Sequence, residues 1–217
     1  MLKLYYADTR LIKDQQMFDA IFEKMHMQRR EKILRCKNEE DKKCSLLVGY
    51  LLRIALEEAG YSYDELEFSQ TEKGKPTLIS APEIFFSLSH SGTMAACVLA
   101  DRQIGVDIEN KCRLLLQTEK IEQLERIAEK CLTTAEKEIF FSCALSTKKE
   151  CFLKFWTRKE SYSKALGKGL GIAFQTIDTE KMDKQYWSDW AEDEYYISIY
   201  KEDADFSKLQ IKKVISL

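Results

Sequence analysis

Hydrophobic and polar positions in this chain repeat with two periods, and the period changes in blocks. Met1–Tyr6 alternates and predicts a strand, after which Leu11, Phe18, Ile21, Phe22 and Met25 recur at helical spacing. From about Arg29 to Ala59 the pattern stays helical, with Leu46, Leu47, Tyr50, Leu51, Ile54 and Ala55 as the buried stripe and Gly60 as its stop. Leu66–Phe68 and the turn Lys73–Pro76 come next. Ile84–Ser89 and Thr93–Ala100 read as two strands, and Asp101–Gln103 turns the chain into a third, Ile104–Glu109. Past Asn110, the residues Ile121, Leu124, Ile127 and Cys131 give a helix. Thr133-x-x-Glu136 and Thr147-x-x-Glu150 both match a capping box, which starts two further helices. The second runs to about Leu166, with Gly167 just beyond its end. Gly169–Gly171 forms a flexible exit, and Ile172–Ile177, Tyr195–Tyr200 and Gln210–Ile215 read as strands.

Strand, helices and strands are therefore followed by helices and strands, the order of an α+β fold rather than an alternating α/β one. The halves 1–105 and 106–217 share this plan, although their sequences show no repeat. At 217 residues the chain suits one compact fold, or two small lobes sharing a core.

A net charge of −2 speaks against a protein that coats nucleic acid. One basic cluster stands out: Arg29, Arg30, Lys32, Arg35, Lys37, Lys42 and Lys43. Interspersed acids leave a solvated helix face and a phosphate site equally open there. Seven cysteines, an odd number without a C-x-x-C pair, support neither a zinc site nor a disulfide framework, and most of them read as small core residues of a reducing compartment. The N-terminal apolar run is too short for a signal peptide, and no window nears the roughly 18–20 apolar residues that cross a bilayer. A soluble cytoplasmic protein with no membrane partner is expected.

The candidate chemistry lies in two stretches. In Ile104-Gly-Val-Asp-Ile-Glu109 a strand period puts Asp107 and Glu109 on one face, either solvated or repelling one another until a cation binds. Magnesium, which takes one or two carboxylates plus substrate phosphates, fits such a pair. In Trp156-Thr-Arg-Lys-Glu-Ser-Tyr-Ser-Lys164 a helix period puts Trp156, Glu160 and Lys164 on one face, where Glu160 and Lys164 could be no more than an i,i+4 ion pair. Ser89-His90-Ser91-Gly92 can cradle a phosphate or simply end a strand. Lys75 on the Gly74–Pro76 turn can serve as a point charge. His26, in a Met-rich helical stretch, reads as structural.

In this order and spacing, Gly74-Lys-Pro76, Phe86-Ser-Leu-Ser-His-Ser-Gly92, Ile104-Gly-Val-Asp-Ile-Glu109 and Trp156–Lys164 followed by Gly167-Lys-Gly-Leu170 resemble the 4′-phosphopantetheinyl transferases of the Sfp type. The resemblance spans Arg29 to Gly171. It implies two similar α+β lobes in a pseudo-dimer, with the active site in the cleft between them. It implies transfer of the phosphopantetheine arm of coenzyme A to a serine hydroxyl of an apo acyl or peptidyl carrier protein, releasing adenosine 3′,5′-bisphosphate. Carried over residue by residue, it makes Asp107, Glu109 and Glu160 ligands of Mg2+ and Glu160 the general base. Lys164 would hold the pyrophosphate, Ser89 and His90 would contact coenzyme A phosphates, and Lys75 with Pro76 would line the nucleotide pocket. Arg29 and Lys32 fall where the family places basic residues for the 3′-phosphate. The chain departs from the family at Lys42–Ser45, where an arginine is usual and Lys43 would substitute. Glu136 lies near an acidic position sometimes given a catalytic role, but its capping box favours a structural one. Leu114–Leu116 is either an exposed docking patch or core. A monomer is expected, since the chain holds both halves of its own site. A coenzyme A or nucleotide-binding protein without turnover is the alternative, and a magnesium-dependent phosphohydrolase lacks a supporting signature.

Overall fold

A computed structural model describes residues 1–112, 121–168 and 173–217. The chain opens with strand β1 (Leu2–Asp8), then helices α1 (Gln15–Glu23), α2 (Met27–Leu34) and α3 (Glu39–Glu57). The helical pattern from Arg29 to Ala59 is therefore two helices. The break comes at Asn38, whose side chain accepts the Asp41 N–H at 2.7 Å and caps α3 behind Glu39, Glu40 and Asp41. Short strands β2 (Phe68–Gln70) and β3 (Pro76–Leu78) flank the Lys73–Pro76 turn, followed by β4 (Phe85–Ser91), β5 (Met94–Ala100) and β6 (Ile104–Asn110).

Helices α4 (Ile121–Cys131), α5 (Thr134–Ser142) and α6 (Leu145–Leu166) come next, then β7 (Trp187–Glu192), β8 (Tyr195–Lys201) and β9 (Gln210–Lys213). The capping box at Thr133 and Glu136 forms as expected. The one expected at Thr147 does not: α6 starts earlier, behind Ala144, and the Thr147 hydroxyl donates to the Ala144 carbonyl from inside the first turn. At the other end Gly167, at φ 66°, closes α6 in the left-handed conformation that glycine adopts without strain. The strand expected over 172–177 is a 3-10 turn at Phe174–Thr176, and Ile172 lies outside the described residues, as do Gly169–Gly171 and Leu114–Leu116. A short apolar run carries too little period to separate these cases. Phe174 is held by packing, at 5.3 Å from the Trp156 ring.

The fold is mixed α+β. One sheet has the order β4-β5-β1-β9, with β9 parallel to β1 and the other pairs antiparallel. A second, antiparallel sheet has the order β6-β8-β7. Alternation along β1 distributes its side chains: Tyr5 and Ala7 pack with the α3 stripe, whereas Leu2, Leu4 and Tyr6 pack with Ile104, Val106, Ile108, Ile197 and Ile199 of the second sheet. The layers run α3, first sheet, second sheet, α6. A buried network locks α5 to α6. Lys159 and Glu136, both fully buried, pair at 2.5 Å, and the remaining Glu136 oxygen accepts from the N–H and hydroxyl of Thr179. Glu136 thus has the structural place its capping box predicts. Of the seven cysteines, all free, only Cys44 and Cys97 are buried; the other five are partly exposed, so the expectation of core cysteines holds for two.

Candidate active site

Strands β4 and β6 run side by side without sharing backbone hydrogen bonds. β6 is the edge of its sheet, and its outward N–H groups need partners. Three serines of β4, spaced by two residues, supply them. The hydroxyls of Ser87, Ser89 and Ser91 accept from Val106, Ile108 and Asn110 at 3.1, 3.3 and 3.1 Å. Ser89 also donates to Asp107 Oδ1 at 3.0 Å, and Ser91 to Glu109 Oε2 at 2.7 Å. The two carboxylates therefore point into the seam, not to solvent: Asp107 is 4 % exposed and Glu109 is half-buried. The reading of β6 as a half-exposed strand with solvated acids is excluded.

Helix α6 lies across β6, and Gly105 is what lets it. A Cβ at Gly105 would stand 1.9 Å from the Ser161 carbonyl oxygen. This close approach brings the Trp156–Glu160–Lys164 face over the seam. Lys164 Nζ donates to Asp107 Oδ1 at 2.6 Å and to Ser89 Oγ at 2.7 Å, so its acidic partner is across the seam rather than Glu160 in its own helix. Burial raises the Asp107 pKa, partly offset by Lys164. Burial, then the Asp107 charge, raises Glu109. The same two causes, burial first, push Glu160 up to about 7. Asp107 Oδ2 is buried without a hydrogen-bond partner among the described residues. The three carboxylates feel one another's charge, yet among the described residues no group of three or more His, Cys, Asp or Glu side chains is gathered tightly enough to hold a metal as it stands.

Beside the seam lies a cavity of about 190 Å3, lined by Arg29, Lys32, Lys75, Pro76, Lys164 and Gly167 among others. A second hollow of about 210 Å3 shares Lys75, Pro76 and Gly167 with it. Arg29 is buried at 5 % exposure with no carboxylate partner among the described residues. Burial lowers the Lys32 pKa and takes Lys75 down to about 8. Lys75 Nζ donates to the Ala165 carbonyl at 2.7 Å, tying the 73–76 turn to the end of α6. A hollow in which Arg29, Lys32 and Lys75 have no acidic partner among the described residues, beside a Lys164 already paired with Asp107, is electrostatically prepared for an anion.

Most residues singled out from the sequence thus converge. Arg29, Lys32, Lys75, Pro76 and Lys164 line the cavity, Ser89 and Asp107 bond to Lys164 at its edge, and Glu109 and Glu160 lie within the field of Asp107 and Lys164. Lys43 and His90 lie outside its lining; His90 is exposed on the face of β4 opposite Ser89. His26 stacks on Phe68 at 3.9 Å and sits at the N-cap position of α2 without a side-chain capping bond, as its structural reading predicts. Sequence reasoning passed over Ser87 and the carboxylate contact of Ser91, although the period of two in Ser87, Ser89 and Ser91 was visible.

Two family models cover nearly the whole chain. The 4′-phosphopantetheinyl transferase superfamily model matches residues 103–211, and the N-terminal model of 4′-phosphopantetheinyl transferase matches residues 13–103. The chain belongs to the 4′-phosphopantetheinyl transferase superfamily. Among curated relatives, 4′-phosphopantetheinyl transferase Sfp of Bacillus subtilis (strain 168) is 27 % identical over 180 residues, 81 % of this chain and 75 % of that protein. A second B. subtilis relative, 4′-phosphopantetheinyl transferase ffp, is 30 % identical over 179 residues, again 81 % and 75 %. The L-aminoadipate-semialdehyde dehydrogenase-phosphopantetheinyl transferase of Xenopus laevis is 30 % identical over 148 residues, 64 % of this chain and 48 % of that one. The β6 carboxylates and the α6 face fall within the superfamily match, and the β4 serines within the N-terminal one. The chain is a transferase of this family, and no helix among its described residues is long and apolar enough to cross a membrane.

Proposed function

We propose that the chain transfers the 4′-phosphopantetheine arm of coenzyme A to a serine hydroxyl of an apo acyl or peptidyl carrier protein. The reaction depends on Mg2+ and releases adenosine 3′,5′-bisphosphate. The observation that carries this reading is the meeting, at Lys164, of a cationic cavity and a carboxylate seam in a chain of this family. The two lobes are 1–105 and 106–217, working as one unit around the cleft that the cavity marks, with β9 crossing back to pair with β1. The protein acts as a cytoplasmic monomer, without nucleic acid or membrane partners.

In this reading Arg29, Lys32 and Lys75 bind coenzyme A phosphates, with Lys43 and His90 reaching the bound nucleotide from outside the hollow, and Ser89 and Lys164 hold the pyrophosphate. Asp107, Glu109 and Glu160 suit a divalent cation on two counts: their charges repel, and Asp107 Oδ2 is a buried acceptor that lacks a donor among the described residues. Bound Mg2+ supplies neutralisation of the diphosphate charge. Glu160, directly or through one water, takes the proton of the attacking carrier hydroxyl as the new P–O bond forms and the bond to the nucleotide phosphate breaks. Family membership and this intact set favour turnover over binding alone.

Intact mass spectrometry of apo carrier proteins incubated with the enzyme, coenzyme A and Mg2+ tests the reading. A gain of one phosphopantetheine, lost with excess EDTA, is expected. No gain on any carrier despite coenzyme A binding would overturn it in favour of a binding protein, and full activity in EDTA would remove the metal.

Lys75 gives a sharper test. A lysine at about 8 when free takes up a proton on meeting a phosphate, so coenzyme A affinity should fall as pH rises from 7 to 9. Lys75→Ala should raise the coenzyme A KM about 10-fold with kcat little changed, as for a lost charged hydrogen bond, and should flatten that pH dependence. A change in kcat alone would remove Lys75 from ground-state binding.

A further inference from the structure

The serine seam does more than cap an edge strand. Ser87 accepts one N–H and touches no carboxylate in the hydrogen bonds of the seam, whereas Ser89 and Ser91 each accept an N–H and donate to an acid. A hydroxyl has one proton. Once Ser91 accepts from Asn110, its proton is directed at Glu109 Oε2, and at 1 % exposure no bulk water competes for it. The two acids also differ in what else restrains them. Asp107 is short and held a second time by the Lys164 ammonium at 2.6 Å. Glu109 has a longer side chain with one more rotatable bond, and the Trp156 indole of α6 stands near it.

We propose that Ser91 is a positioning residue for the reaction: clamped between the Asn110 N–H and the Glu109 carboxylate, it fixes which way the Glu109 oxygens face. Its hydroxyl touches neither substrate nor reacting atoms and acts through Glu109. This rests on the function proposed above, in which Glu109 helps hold the cation. An outer partner of this kind commonly accounts for about 10- to 100-fold in metal affinity or activity.

The test is calorimetric binding of coenzyme A with and without Mg2+, which reads the site apart from turnover. For the wild type, Mg2+ should tighten coenzyme A binding. Ser91→Ala should keep the Mg2+-free affinity and lose about 10-fold or more of the Mg2+-dependent gain. Ser87→Ala removes the matching Val106 bond and no carboxylate contact. It should lower the melting temperature comparably and keep the gain. In a Glu109→Gln background, Ser91→Ala should have no further effect on the gain, because its route is already cut. Should Ser91→Ala fail to fold, Ser91→Cys keeps the shape with a weak donor and should show the same loss. A full gain in a folded Ser91 variant, or a loss that adds to that of Glu109→Gln, overturns the positioning role and leaves the proposed function standing. No Mg2+ effect in the wild type overturns the metal reading and the positioning role together.

Discussion

Gly105→Ala is expected to take away stability and turnover together. The added Cβ would lie 1.9 Å from Ser161 O and 2.6 Å from Ala165 N, both main-chain atoms of α6. A flexible side chain could swing aside; a helix backbone packed along β6 and β8 has to shift as a body. Overpacking typically costs about 1–3 kcal/mol and occasionally more, and a main-chain clash belongs at the upper end. For a chain of this size about 3 kcal/mol lowers Tm by roughly 6–12 °C. The face that must move carries Glu160 and Lys164, and a displacement near 1 Å at reacting groups can cost about 100-fold in rate. Circular-dichroism melting and the carrier mass assay measure the two losses. A variant with wild-type Tm and rate would show that the α6–β6 contact is looser than its geometry implies.

The sequence carried some of this architecture and not the rest, for physical reasons that differ by element. Strands β1, β4, β5, β6 and β8 were legible because each either alternates or is a solid apolar run between turn residues. The Thr133 capping box and the Gly167 stop were legible because both are local chemistry. β7 was missed: Trp187-Ser-Asp-Trp-Ala-Glu192 is a half-exposed edge strand whose Asp189 is spent on Arg158 and Ser198, so it has no clean period. The i,i+4 spacing of Glu160 and Lys164 suggested an ion pair on one helix. Tertiary packing gave Lys164 to Asp107 instead, 57 residues away. Motif spacing placed Asp107, Glu109, Glu160 and Lys164 on shared faces. It could not reveal that a serine ladder turns the carboxylates inward, because the period of two in Ser87, Ser89 and Ser91 does not say which strand those hydroxyls meet.

Glu160→Gln is expected to slow transfer by about 100-fold or more, the range in which a positioned general base contributes, while making the metal-free protein more stable at pH 8. Both signs come from one environment. Burial and the Asp107 charge push Glu160 up to about 7, above the value of an exposed glutamate. For an acid raised on folding, the native state binds its proton more tightly than the unfolded chain. Stability therefore falls as pH rises from the unfolded pKa toward 7, and the penalty is fully present above 7. Glutamine carries no charge to bury, so the penalty disappears, and with it the proton acceptor. The melting temperature in EDTA should rise relative to wild type at pH 8, and the difference should shrink toward pH 4.5. An acid kept for structure behaves in the opposite way: its loss lowers Tm and leaves any residual rate proportional to the folded fraction. Glu136, fully buried but matched by Lys159 and the Thr179 donors, is such an acid in the same fold. If Glu160→Gln lowered Tm as a Glu136 variant should, Glu160 would be a structural residue and the proton acceptor would have to be sought elsewhere in the seam.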